Sequence, residues 1–175
     1  MFTGIALPPF ETERLVLRPP GAAETATMLA FLGSDRAGFC GGPMSAGEAW
    51  KAYAIHVGQW ALRGYGLFSV ALKATDAVVG MVGPHHPHDA PEPEMRWLLT
   101  DAAHEGHGFA YEAARAALDH LFDTLRWDSV VSYIDPADAA SRALASRLGA
   151  HADPATPSPI PGRTAYRHFP AGGTA

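Results

Sequence analysis

Glu105-Gly106-His107-Gly108-Phe109-Ala110 opens a long helical pattern and follows a strand-like run ending at Leu99. A strand, a glycine loop and a helix start together present backbone N–H groups to an anion. The first helical turn has donors without partners and the positive end of the macrodipole. Glycines let a phosphate come close because no Cβ stands in the way. The stretch reads as a diphosphate seat, or as a tight strand-to-helix connection with no ligand. No Gly-Lys-Ser/Thr follows, so it is not a Walker A loop, and it lacks the third glycine and downstream acid of a dinucleotide fingerprint.

A second group is acidic. Glu92 and Glu94, two residues apart, share one face of a regular strand and would attract a cationic amine. Turned to solvent, or paired with an arginine, they would need no ligand. His85, His86 and His88 lie in a proline-rich loop without Cys or spaced carboxylates, so they read as structural or substrate-lining rather than as zinc ligands. No metal is expected. His86 could instead act as a base near neutral pH. Cys40 reads as a small packed residue rather than an acyl carrier.

The elements that must position these groups follow from periodicity and punctuation. Leu15 and Leu17 alternate with Arg14, Val16 and Arg18 in a half-buried strand stopped by Pro19-Pro20. Glu24 to Leu32 forms a short helix. Ser45 with Glu48 makes a capping box for a helix from Ala46 to Arg63, its apolar stripe being Trp50, Tyr53, Ala54, Val57, Trp60 and Ala61. Leu67 to Lys73 and Val78 to Val82 pair as a hairpin, and Gly83 to Pro91 is a loop. Glu92 to Leu99 is the next strand, with Pro93 marking an irregular start. In the helix after the glycine loop, Phe109, Ala113, Ala116, Ala117, His120 and Leu121 recur on one face. Ser129 to Ile134 is a strand, Asp135 to Asp138 caps a helix to Leu148, and Gly149 stops it. A proline-dotted segment, with room for one more strand, leads to a final strand from Thr164 to Phe169. The order βααβββαβαβ predicts one α/β domain over residues 10–170 and a frayed tail at 171–175.

Composition narrows the partners. The chain has 175 residues, a formal charge of −5 and one cysteine. The charge gives no basic stripe for nucleic acid, and a single cysteine allows no internal disulfide. No apolar run reaches bilayer length and no charged leader is visible, so cytoplasm is the default.

The glycine loop with Tyr111-Glu112-Ala113 resembles the acetyl-CoA loop of the GNAT acetyltransferases, Arg/Gln-x-x-Gly-x-Gly/Ala. Gly108 and Ala110 match, and Glu105 stands in place of Arg or Gln. The opening Thr12-Glu13-Arg14-Leu15-Val16-Leu17-Arg18 is similar to the RimJ/RimL-like branch. Asp138 and Ser141 stand where the family has Asn-x-x-Ser, ahead of Leu148-Gly149. The resemblance covers Thr12 to His168. It implies the GNAT fold, a mixed sheet splayed between its fourth and fifth strands and flanked by helices.

It also implies acetyl transfer from acetyl-CoA to a primary amine, of a small molecule or a protein N-terminus, by direct attack in a ternary complex. Cofactor-binding residues would be Trp97, Leu98 and Leu99 through their backbone, residues Glu105, Gly106, His107, Gly108, Phe109 and Ala110 of the loop, and Asp138 and Ser141 toward the pantetheine. Asp138 could equally be a simple helix cap. The Leu98 or Trp97 N–H would polarise the thioester carbonyl. Glu94 matches an acidic family position and would serve as base, with Glu92 second and His85 and His86 lining the acceptor site. The usual family tyrosine is missing after the last helix, which leaves Tyr133 or Tyr166 as acid, each of which reads equally as a packed strand aromatic. Alternatively the CoA thiolate leaves without a dedicated acid, because its pKa is close to that of a free thiol. A homodimer is compatible with the family. The competing readings are a module of this fold that binds CoA without turnover, and an enzyme that seats another nucleotide at the same helix start.

Overall fold

Leu15 and Leu17 are fully buried while Val16 and Arg18 stay part-exposed, so the opening alternation becomes strand β2 (Leu15–Arg18). Each leucine contributes roughly 1.5–3 kcal/mol by leaving water. The structure is a computed structural model describing residues 9–173. β2 lies between the short β1 (Phe10–Glu11) and β3 (Phe68–Leu72), and β4 (Val78–His85) and β5 (Glu94–Leu99) extend the antiparallel run. β6 (Val130–Ile134) is parallel to β5 and is joined on its other side by β8 (Thr164–His168). The two-residue β7 (His151–Ala152) supplies the extra strand expected in the proline-rich segment. The sheet order is β1-β2-β3-β4-β5-β6-β8-β7.

β4 runs three residues further than expected, through Gly83 and Pro84 to His85. In an antiparallel ladder, opposite residues alternate between pairs that exchange both bonds and pairs that exchange none. Thr100 N–H donates to Val79 C=O (2.9 Å), so that pair is bonded and, five positions on, Pro84 opposite Met95 is not. The missing proline N–H therefore costs the β4–β5 ladder nothing, and the Pro84 carbonyl, facing away, accepts from Gln59 Nε2 (3.0 Å).

α1 (Thr25–Leu32) and α2 (Ala46–Arg63) cover Leu67 and Met81 with Met28, Phe31, Leu32 and Tyr53. Ser45 and Glu48 close the capping box of α2 as expected. Its buried face differs from the expected stripe: Trp50 and Ala61 are exposed, whereas Gln59 is buried. Backbone carbonyls draw that face inward, since Tyr53 donates to Gly21, Trp60 to Leu67, and Gln59 to Tyr65 and Pro84. α3 (Phe109–Asp119) buries Ala113, Ala114, Ala117 and Leu118 against Leu15, Leu17 and Val79. A wider turn at His120–Thr124 then buries Leu121 and Phe122, leaving Ala116 and His120 only part-covered. α4 (Ala139–Arg147) ends at Leu148, with Gly149 following at φ +82°. The tail expected at 171–175 lies partly outside the described residues. Among the described residues no helix is long and apolar enough to cross a membrane.

Candidate active site

β5 and β6 meet at one register pair, Glu94 with Val131, and then part. The alternation along β5 decides which peptide groups face the gap. Because Thr100 is bonded to Val79, Leu98 is bonded to Met81, and the N–H and C=O of Met95, Trp97 and Leu99 point toward the fork. Leu98, expected to offer a polarising N–H, therefore faces β4, and Trp97 is the residue of that expected pair whose N–H faces the gap. At the vertex the Met95 carbonyl is taken by the buried Ser132 hydroxyl (2.8 Å), which lies 3.0 Å from His168 Nε2. Burial pushes the His168 imidazole down to about 4, so it is neutral here near pH 7.

Beyond Leu99 the chain turns through Gly106 (φ +76°) and Gly108 (φ +80°), the latter the N-cap of α3. Both angles lie in the left-handed region, where a side chain is strained. Glu112 N–H is the first of the helix to find a carbonyl, that of Gly108 (3.0 Å). Among the described residues the N–H groups from Gly106 through Tyr111 donate to nothing. Such a row of free amides at a helix start, on a loop with two glycines, fits a diphosphate.

Sequence reasoning missed the brace behind this loop. The Glu112 carboxylate accepts from the Thr12 hydroxyl, from Arg14 N–H (2.8 Å) and from Arg14 Nε (2.7 Å). Arg14 Nη1 in turn donates to the His107 carbonyl (2.9 Å), and its guanidinium lies over the Phe109 ring (4.6 Å). Burial works against the Glu112 charge, but the bonds from Thr12 and Arg14 outweigh it and hold the carboxyl below its ordinary range. The signal was present, an acid four residues past Gly108 and an arginine in the opening strand motif, but nothing in one sequence pairs them. Glu105, the unusual acid of the loop, is paired with Arg36, whose Nη2 also reaches toward Leu99 C=O (3.5 Å).

On the far side of the fork, Asp138 caps α4 by accepting from Ser141 N–H (2.9 Å), and Ser141 Oγ accepts from the Trp97 indole (3.1 Å). One cavity of about 580 Å³ runs along all of this. Trp97, Leu98, Leu99, Glu105, Gly106, Gly108, Phe109, Ala110, Asp138 and Ser141 line it, and His107 does not.

The same cavity reaches Glu94, His85 and Tyr133. Glu94 is 8% exposed, and its Oε2 accepts from Arg96 Nε (2.8 Å). His85 stands opposite Glu94 in the ladder, and its ring is 5.1 Å from that of His56 on α2, a lining residue the sequence did not single out. Burial first, then the Arg96 charge, pushes His56 down to about 4 and His85 down to about 3. The Tyr133 hydroxyl is buried without a partner among the described residues, and burial raises its pKa.

Besides His107, two expected residues on the acceptor side are not brought to this cavity. Glu92 precedes β5 rather than sharing a strand face with Glu94, and Arg167 grips both its oxygens (2.7 and 2.9 Å) while also holding Asp153. His86 bonds the Tyr65 hydroxyl through Nδ1 (2.8 Å), and its N–H donates to Gln59. Among the described residues no cluster of His, Cys, Asp and Glu could hold a metal ion.

A profile of the acetyltransferase (GNAT) domain matches residues 14–151, most of the chain. The chain belongs to the GNAT acetyltransferase family. Its fold is the GNAT fold, and a solved acetyltransferase from Agrobacterium tumefaciens str. C58 superposes with a TM-score of 0.89 at 35% identity, over 94% of this chain and 96% of that one. A Bordetella pertussis protein assigned to the same acetyltransferase family superposes with a TM-score of 0.77 at 25% identity, over 92% and 98%. The uncharacterized protein YkkB of Bacillus subtilis (strain 168) is 32% identical over 93 residues, so the match spans about half of each chain, 51% of this one and 54% of YkkB. GNAT membership gives the forked sheet and the glycine loop a common setting, an acetyltransferase fold.

Proposed function

We propose that this GNAT protein transfers the acetyl group of acetyl-CoA to a primary amine by direct attack in a ternary complex. The observation that carries the reading is the row of free amides from Gly106 to Tyr111, whose residues, His107 apart, line the same cavity as the fork and Glu94. Those amides would hold the diphosphate, and the fork-facing groups of Trp97 and Leu99, with Ser141 and the free oxygen of Asp138, would hold the pantetheine arm. Bound acetyl-CoA supplies an acyl group already activated as a thioester.

The chain's own residues do the rest. The Trp97 N–H donates a hydrogen bond to an oxygen in the fork as that oxygen gains charge. Glu94 keeps one oxygen in the Arg96 pair and takes the ammonium proton on the other, so the amine attacks as a free base. The new C–N bond forms as the C–S bond breaks, the Tyr133 phenol gives its proton to the departing sulfur, and the proton shed by the acylated nitrogen passes through water to restore the phenol. His85 lines the acceptor side. The opening strand motif supports the RimJ/RimL-like branch, and cytoplasm is the compartment we assign.

Thermal shift with acetyl-CoA, ATP and NAD, followed by thiol release with a panel of amines, tests the reading. Stabilisation by acetyl-CoA alone, with amine-dependent thiol release, is expected. Equal stabilisation by ATP or NAD would indicate a different phosphate ligand. Binding without release by any amine would indicate a CoA-holding module.

A further inference from the structure

The acceptor wall of the cavity combines apolar, neutral and cationic groups in an unequal way. Met28 and Phe31 from α1 and Ile55 from α2 give it an apolar body. The His56 and His85 rings are uncharged near neutral pH, since burial holds both far below the ordinary imidazole range. Glu94 is engaged by Arg96, and Asp135, at the end of β6, accepts from the Ala137 N–H.

The arginines of the cavity are not alike. Arg36 and Arg96 have carboxylate partners, and Arg147 lies over the Tyr111 ring at 4.6 Å. Arg163 is bonded only to carbonyls, those of Phe39 (2.8 Å) and Tyr133 (3.4 Å). Among the described residues no carboxylate comes within 4.0 Å of it. Two of its five N–H donors are used, and carbonyl partners leave the positive charge uncompensated. A guanidinium in that state matches a carboxylate, whose two oxygens fit its fork.

We propose that the acceptor is a small amine carrying a carboxylate on an apolar body, and that Arg163 holds the carboxylate. This rests on the acetyl-transfer reading and narrows its acceptor. A polyamine or an aminoglycoside would bring further ammonium groups beside Arg163, where like charges repel.

Thiol release with leucine and phenylalanine, each beside its carboxamide, and with spermidine tests this. In the wild type each acid is expected to exceed its amide by about tenfold or more in kcat/KM, the size of one charge-assisted bond, with spermidine below both. In Arg163→Met the acid-to-amide ratio is expected to collapse to about unity, while Arg163→Lys keeps part of it. Stabilisation by acetyl-CoA, measured on every variant, reports folding and the cofactor site separately from acceptor choice. No acetyl-CoA shift in the wild type would remove the underlying acetyl-transfer reading. With acetyl-CoA bound, a preference for amide or spermidine, no turnover of either acid, or a ratio unchanged in Arg163→Met would overturn the assignment of Arg163 alone.

Discussion

Along the glycine loop and the fork, the groups facing the cavity are mainly peptide N–H and C=O, from Trp97, Leu99 and the start of α3. Across the cavity they are side chains drawn from α2, β4, β5 and the segment before β8, namely His56, His85, Glu94, Arg96 and Arg163. A backbone site depends on glycine positions and strand geometry and tolerates many side chains. A side-chain site depends on which distant residues the fold happens to bring together. Damage to the first half should therefore appear as lost acetyl-CoA binding, and damage to the second as lost turnover or acid-dependent stability.

The sharpest separation is expected at Glu94. Glu94→Gln keeps the shape of the side chain and removes the base, so kcat should fall by about 10²- to 10³-fold, within the usual range for such a group. The acetyl-CoA Kd, by calorimetry, should stay within about twofold. Comparable losses in both quantities would mean that the two halves are not separable.

Acid should open the side-chain half first. His56 and His85 are held at about 4 and about 3 in the folded chain, against an ordinary value of 6.5. Between those limits the unfolded chain binds protons that the folded chain does not. Stability is then full above about pH 6.5 and falls as pH drops toward 4, by up to about 1.4 kcal/mol per pH unit for each histidine. His168, also held at about 4, adds in the same direction. Urea midpoints measured from pH 7.5 to 4.5 check the slope, and a His56→Leu/His85→Leu variant should flatten it. An equally steep slope in that variant would place the acid sensitivity elsewhere.

Changes in the backbone half should be smaller and confined to binding. Gly108→Ala forces a side chain into a left-handed conformation at a cost of about 1–2 kcal/mol, so acetyl-CoA should bind about tenfold more weakly. Glu112→Ala releases Thr12 and Arg14 from behind the loop. Because Arg14 is partly exposed, the expected loss is about fivefold in Kd, with the acid-to-amide preference unchanged.

The two halves also differ in how far they could be read before the structure was seen. The loop from Glu105 to Ala110, the cap of α2, the stop at Gly149 and the order of the elements were all legible, because local spacing carries them. Pro84 misled the reading of β4, since a proline breaks a strand only where its N–H is needed, and opposite Met95 it is not. Leu98 was named where Trp97 faces the fork, because the bonded side of a strand depends on its partner's register and not on its own sequence. Glu92 and Glu94 looked like neighbours on one strand face until the strand began at Glu94 and Arg167 held Glu92. His56 and Arg163 carried no local signal at all, being 107 positions apart in the chain and joined only through the cavity. Likewise Gln59 stood outside the apolar stripe expected for α2, and the carbonyls that it reaches when buried come from Tyr65 and Pro84.

The most direct test is a crystal structure of the protein with acetyl-CoA bound. Diphosphate oxygens at hydrogen-bond distance, about 2.7–3.2 Å, from the amide nitrogens of His107, Gly108, Phe109 and Ala110 are the predicted result. A diphosphate held elsewhere, or those same four amides bonded within the protein in the complex, would contradict it.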